Sequence, residues 1–279
     1  MTETTIGLLH PGEMGAAVGA VLRGAGRDVV WASAGRSSAT ARRAEAAGLD
    51  DAGTVGELCG RAGVILSVCP PHAALDVARE VAGYGGVFVD ANAVSAATTR
   101  LVGEAISDAG GTYVDGGIIG SPPTEAGATR LYLSGPDAPA VARLFDGTIV
   151  DALVLSDRIG DASTMKMVFA AWTKGAAALL LDVRALARKT GLEDALLADW
   201  NESLPHLPGM SLQAAHSAAA KGWRWTAEME EIAATFAAAG LPDGFHRAAA
   251  ELFRRSPRLD DARADEATLD AVLRGIAGS

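Results

Sequence analysis

The chain has 279 residues, 49% of them hydrophobic and 21% charged, enough apolar material for two cored domains and too much for a disordered chain. Its formal net charge is −10 and no lysine- or arginine-rich tract occurs, which argues against nucleic acid and anionic membranes as partners. The only cysteines, Cys59 and Cys69, read as small core residues, so neither a disulfide framework nor a metal site is indicated. The opening MTETTIGLL has no basic region ahead of an apolar core, and the apolar run Ala176–Leu181 is bounded by Lys174, Asp182 and Arg184. A soluble cytoplasmic protein is the expectation.

In chain order, Ile6–Leu9 reads as a first strand, His10-Pro11-Gly12-Glu13-Met14-Gly15 as a turn, and Ala16 to about Arg23 as a helix closed by Gly24 and Gly26. Strand, glycine turn and helix is the opening of a nucleotide-binding βαβ unit, whose free helix N–H groups hold a pyrophosphate. His10 replaces the first glycine of the usual G-x-G-x-x-G, so an ordinary strand–turn–helix is the alternative. The next strand is Asp28–Ala32. No acid occurs between Val29 and Arg43, where a ribose-binding carboxylate is usual. Arg36 stands there with Ser33, Ser37 and Ser38, a set suited to a 2′-phosphate and hence to NADP.

A helix over Ala39–Ala47 and a short one around Val55–Cys59 lead to the unbroken apolar run Val64–Cys69, as a strand buried on both faces requires. Val68, Cys69 and Pro70 sit at its carboxyl end, where doubly wound sheets bind ligands. His72–Ala82 is helical, Val87–Asp90 is the next strand with Asn92 and Ser95 at its exit, and Ala97–Ala109 is helical again. Thr112–Asp115, Leu131–Ser134 and Ile149–Leu155 read as further strands. Strands alternate with helices throughout, which predicts a mainly parallel sheet covered on both faces: a doubly wound Rossmann domain over residues 1–157.

From Gly160 all signals are helical, so residues 158–279 are expected to form an all-α domain. Asp161 is a candidate N-cap of a helix to about Lys189, apolar on more than one side and so expected to be covered on several sides. Helices over 193–200, 213–222, 225–239, 245–254 and 266–276 follow. Lys166 lies among apolar neighbours on the first of these helices. Burial would bring its ammonium towards neutrality, where it acts as acid or base, unless it reaches the surface along its stem. Lys174, two turns on, reads as such a surface lysine. The run Asp115-Gly116-Gly117-Ile118-Ile119-Gly120-Ser121-Pro122-Pro123 is either a long irregular loop or a glycine-rich strand exit that lets a ligand approach the backbone.

These segments together resemble the β-hydroxyacid dehydrogenases, the group of 3-hydroxyisobutyrate and 6-phosphogluconate dehydrogenases. The family's turn ends G-x-M-G, as in Gly12-Glu13-Met14-Gly15. Its substrate run begins with aspartate, as at Asp115, and its catalytic helix carries G-x-G-x-x-x-K-x-x-x-N. Gly160 and Lys166 match, while Ala162 and Ala170 replace the second glycine and the asparagine. Ile119 replaces the carboxylate-binding serine. The resemblance implies hydride transfer between a nicotinamide cofactor and a small hydroxy or oxo compound, with Lys166 as general acid/base; Arg36 and its serines make NADP(H) the expected cofactor in preference to NAD(H). Ile118, Ile119, Gly120, Ser163 and Ala170 would meet substrate. It also implies a homodimer, with Trp223 and His246 in a pocket wall; the commoner roles of such residues are core packing for the tryptophan and a satisfied surface or core position for the histidine. The run Asp115–Ile118 with Pro122-Pro123 also resembles imine reductases, relatives that typically lack the lysine. A non-catalytic nucleotide-binding protein is the remaining alternative.

Overall fold

The short apolar runs of the first half form strands buried on both faces, because helices cross over between them on either side. In a computed structural model, which describes residues 4–278, two compact units are present, one ending at Met167 and the other beginning at Val168. The first unit contains β1 (Ile6–Leu9), α1 (Glu13–Gly24), β2 (Val29–Trp31), α2 (Ser38–Ala46), β3 (Asp50–Asp51), α3 (Val55–Arg61) and β4 (Val64–Ser67). It continues with α4 (Ala74–Glu80), β5 (Val87–Asp90), α5 (Ala96–Asp108), β6 (Thr112–Gly120), β7 (Thr129–Ser134), α6 (Ala138–Ala142) and β8 (Val150–Ser156). The sheet has eight strands in the order β3-β2-β1-β4-β5-β6-β7-β8, all pairs parallel except β6 with β7. The order reverses between β1 and β4, the switch point at which such sheets open a crevice outside the strand ends.

Alternation along the strands divides the core into two layers. Ile6, Leu8, Leu22, Val29, Leu66, Val89 and Val114 pack on one side, and Leu9, Val30, Leu58, Ile65, Phe88, Val102 and Ile106 on the other. The chief departure from expectation is β6. The run expected to leave the sheet after Asp115 stays in it as far as Gly120, because Thr129–Ser134 supplies an antiparallel ladder from Asp115↔Ser134 to Gly120↔Thr129. The two cysteines are half-buried and unpaired by disulfides, not fully enclosed core residues.

The helix α7 (Asp161–Lys189) begins in the first unit and continues into the second, which holds α8 (Glu193–Ser203), α9 (Leu207–Ala238), α10 (Gly244–Arg255) and α11 (Glu266–Ala277). Three expectations fail here. Asp161 is the first helical residue rather than the N-cap, its carboxylate taken by Ser156 and Arg158. The α7 surface is not covered on several sides: Val168, Phe169, Trp172, Leu179, Val183 and Leu186 are exposed, Trp172 to 76%. The two helices expected either side of Gly222 are one, α9, which runs through Gly222; that glycine is buried, and a Cβ there would make only an ordinary 3.7 Å contact with the Phe253 carbonyl oxygen of α10. The core of this unit includes a charged centre. Arg184, 1% exposed, donates to Glu193 at 2.6 Å and to Ser211 at 2.7 Å, and Arg188 ties Glu193 to Asp270.

Candidate functional site

The β1 exit turns through His10 and Pro11 into α1, whose N-cap is Gly12. The Gly12 N–H donates to the His10 carbonyl at 2.8 Å. A Cβ at Gly15 would collide with that carbonyl oxygen, so only glycine lets α1 lie this close to the strand end. A Cβ at Gly12 would meet nothing within 4 Å. Pro11 is buried, its carbonyl taken by Arg43 at 3.2 Å; Met14 packs on the core and Glu13 is exposed. The His10 ring is the unusual member. Both its nitrogens are buried without a hydrogen-bond partner, and burial together with the Arg36 guanidinium pushes its pKa down to about 4.

Arg36 stands in a turn after β2 closed by its own N–H donating to Ser33 O at 3.0 Å, with Gly35 at φ +74°. Its Nε is buried and unpartnered, while a terminal nitrogen lies 3.6 Å from the carboxylate of Glu80 on α4. Ser37 caps α2 by accepting from the Thr40 N–H. Ser33 hydrogen-bonds Asp51, whose carboxyl is held below its usual range first by the Gly53 N–H and then by Ser33. The stretch after β2 contains no acid, yet two acids reach it from β3 and α4. Sequence spacing carries no signal for either.

Asn92 joins the exits of β4 and β5. Its Oδ1 accepts from the Cys69 N–H at 2.6 Å, its Nδ2 donates to Ser67 at 3.1 Å, and its backbone N–H donates to Asp90 at 3.1 Å. Val68 and Cys69 are half-buried and Pro70 is exposed at this strand end. Burial, with Asp90 nearby, pushes the Cys69 thiol up to about 12, so it is no nucleophile. Asp90 is fully buried, and burial raises its carboxyl to about 7.

At β6, the Ile118 side chain packs in the sheet core, Ile119 is 1% exposed and Gly120 is exposed. Ser163 is buried with its hydroxyl engaged, donating to Asp115 at 2.5 Å and accepting from Thr99 at 2.8 Å. Lys166 is half-buried rather than enclosed, its Cβ above the bare backbone of Gly117. Lys174 reverses its expectation. It is 9% exposed, paired with Glu228, and 5.7 Å from the Trp225 ring centroid. In the helical unit Ala170 is buried. Trp223 is half exposed between Arg224 and Arg258. His246 is buried against Phe236 and Phe245 with Nδ1 unpartnered, and its burial lowers its pKa. Among the described residues no helix is long and apolar enough to cross a membrane.

Comparison with known proteins agrees with this architecture. Residues 187–256 match a domain of unknown function, DUF1932. An uncharacterized 28.5 kDa protein of Methanothermus fervidus is 32% identical over 164 residues, a match spanning 58% of this chain and 63% of that protein's length. A solved conserved protein of unknown function, described as structurally similar to 3-hydroxyacid dehydrogenases, superposes at TM-score 0.68 with 26% identity, covering 97% of this chain and 99% of its own. The 3-hydroxyisobutyrate dehydrogenase of Mycobacterium tuberculosis, solved with L-serine, gives TM-score 0.71 at 18% identity over 98% of this chain and 99% of its own. A reductive aminase of Aspergillus terreus, solved with NADPH and ethyl-5-oxohexanoate, gives 0.57 at 19% identity over 91% and 93%. The resemblance to the β-hydroxyacid dehydrogenases therefore runs along nearly the whole chain, which has their two-domain fold: a Rossmann sheet followed by helices.

Proposed function

We propose that the chain is an NADP-dependent oxidoreductase that moves hydride between the nicotinamide and a small hydroxy or oxo compound. The observation that carries this reading is the set of buried, unpartnered nitrogens on His10 and Arg36 at the β1 and β2 exits. Leaving a buried donor unpaired costs about 1–3 kcal/mol, a cost that a bound anion removes for the Arg36 Nε–H and for the single N–H of a neutral His10 ring. Gly12 leaves the N-terminus of α1 open to a pyrophosphate, and Pro11, Glu13, Met14 and Gly15 shape the turn. Arg36 would take the 2′-phosphate together with Ser33 and Ser37, and Val68, Cys69, Pro70 and Asn92 would flank the nicotinamide half. The cofactor, when bound, supplies or accepts the hydride. Lys166 holds the proton at Nζ that the substrate oxygen gains or loses, with Ile118, Ile119 and Gly120 on β6 and Ala170 one turn along α7 as candidate substrate neighbours; the Ser163 hydroxyl is already taken by Asp115 and Thr99. Ile119 and Ala170, apolar where the resembling family is polar, favour a substrate held through fewer polar contacts. The likeness to a reductive aminase supports a second reading, imine reduction; retention of Lys166 favours C=O.

The same reading includes a homodimer. The exposed apolar face of α7 borders a groove of about 420 Å³ lined by Trp172, Leu179, Val183, Leu207, Met210 and Phe245, and apolar surface gathered in this way is what a subunit interface covers. Light scattering at micromolar concentration should give twice the chain mass, and a monomer would refute it. Fluorescence titration with NADPH and NADH, then NADPH oxidation against a panel of small oxo acids, aldehydes and cyclic imines, tests the chemistry. NADPH should bind about tenfold to a hundredfold tighter than NADH. Equal affinities would overturn the cofactor assignment. Binding of neither would leave a scaffold protein, and oxidation by imines alone would establish the second reading.

A further inference from the structure

The N-cap of α7 is Gly160, at φ +102°, a conformation that glycine adopts and that leaves no side chain to accept from the helix's first N–H groups. The N–H groups of Gly160, Ala162 and Ser163 are nevertheless paired, from strand residues that lie 28 to 48 positions earlier. Asp115 Oδ2 on β6 accepts from the Gly160 N–H at 2.9 Å, the Ser163 N–H at 3.1 Å and the Ser134 hydroxyl at 2.8 Å; Oδ1 accepts from the Ser163 hydroxyl at 2.5 Å. Ser134 on β7 accepts from the Ala162 N–H at 3.0 Å. The carboxylate is fully buried and cannot reach a ligand, although it opens the run expected to bind one. Two residues further along β6, a Cβ on Gly117 would sit 2.8 Å from the Ala162 carbonyl oxygen and 3.0 Å from the Lys166 Cβ, so the helix rests directly on that backbone. The other ionisable groups near the clamp are Asp90 on β5, Tyr113 on β6 and the Arg158–Asp161 pair at the foot of α7.

We propose that Asp115 is the positioning residue of Lys166: a cap supplied from the sheet that fixes the height and rotation of the α7 first turns over Gly117. Its negative charge at a helix N-terminus also favours the ammonium form of a lysine one turn on. The meaning of this placement for catalysis rests on the acid/base reading of Lys166; the placement itself is measurable without turnover. The chain has four lysines, Lys166, Lys174, Lys189 and Lys221, so protein labelled with ¹³C at lysine Cε gives four signals, and Lys166→Met identifies one. In Asp115→Asn the Lys166 signal should titrate about half a pH unit or more lower, while the other three hold. Amide exchange over Ala162–Lys166 should rise about tenfold or more, with the later turns of α7 unchanged. NADPH affinity should stay within about twofold, since the Asp115 carboxylate hydrogen bonds run to Ser134, Gly160 and Ser163 and not to the residues of the cofactor turn. An unmoved Lys166 signal and unmoved exchange in folded Asp115→Asn would overturn the proposal. Should that variant not fold, Ser134→Ala, which keeps the charge, decides by the same local exchange: faster supports, unchanged overturns. Full turnover in Lys166→Met alongside a shifted Lys166 signal in Asp115→Asn would sink the acid/base reading and leave the positioning intact; lost turnover with an unmoved signal would do the reverse.

Discussion

Around Asp115 every carboxylate oxygen meets donors, and the helix it caps has no first-turn N–H left over from Ala162 or Ser163. Around His10 and Arg36, in the same sheet unit, three buried nitrogens meet nothing. Burial costs both clusters solvation, and only the first recovers it within the chain. A closed polar cluster sets geometry; the function proposed above gives the open one to a ligand. The two therefore make separable demands: substitutions at the open cluster should change ligand affinity, and those at the closed one should change how the chain's own groups stand.

The largest expected effect tests that separation at the closed end. Lys166→Met keeps length and apolar packing but removes the proton, so it should fold, bind NADPH nearly as the parent does, and lose about a hundredfold or more in turnover on whatever substrate the panel identifies. Parent-like turnover would remove the chemistry from this end. Arg36→Ala should do the opposite. NADPH affinity should fall about tenfold to a hundredfold with NADH affinity unchanged, measured by fluorescence titration. An equal fall for both cofactors would mean that Arg36 holds the turn rather than the phosphate. Smaller still is the effect at the border of the two clusters. Asp90 accepts from Asn92 on one side and lies beside Asp115 on the other, and burial lifts its carboxyl from 3.8 to about 7. The fold thus keeps a proton that the unfolded chain has already released; that stability is complete below the unfolded value and is lost as pH rises through the folded one. Asp90→Asn imitates the protonated form, so it should raise thermal stability by about 1–3 kcal/mol at pH 8 and progressively less towards pH 4. A gap that fails to widen with pH would place the proton elsewhere.

How much of this the sequence discloses depends on how local each cause is. The strands β1, β4 and β5 and the glycine turn after β1 are written in consecutive residues, and reading them suffices for the Rossmann unit. The extension of β6 is not, because its glycines pair only once Thr129–Ser134 folds back alongside. Lys166 and Lys174 have similar apolar neighbours in sequence. What buries the second is Glu228, 54 residues away, and nothing near Lys174 announces it. Likewise Asp115 reads as the start of a ligand run because Ser134 and the α7 N-terminus, which consume its carboxylate, lie far along the chain. The acids beside the β2 exit, Asp51 and Glu80, escape a window search for the same reason.

Gly12 and Gly15 stand three residues apart in one turn, yet they are glycine for opposite reasons. At Gly15 the excluded volume is already filled by the His10 carbonyl, so a methyl there would strain the protein with or without a ligand. At Gly12 the volume is free, and the fold itself has no objection to alanine. In a comprehensive substitution library scored once for abundance and once for cofactor retention, position 15 would be intolerant in both screens and position 12 only in the second. Residues sorted by that disagreement would outline, from genetics alone, the surface that the proposed cofactor touches.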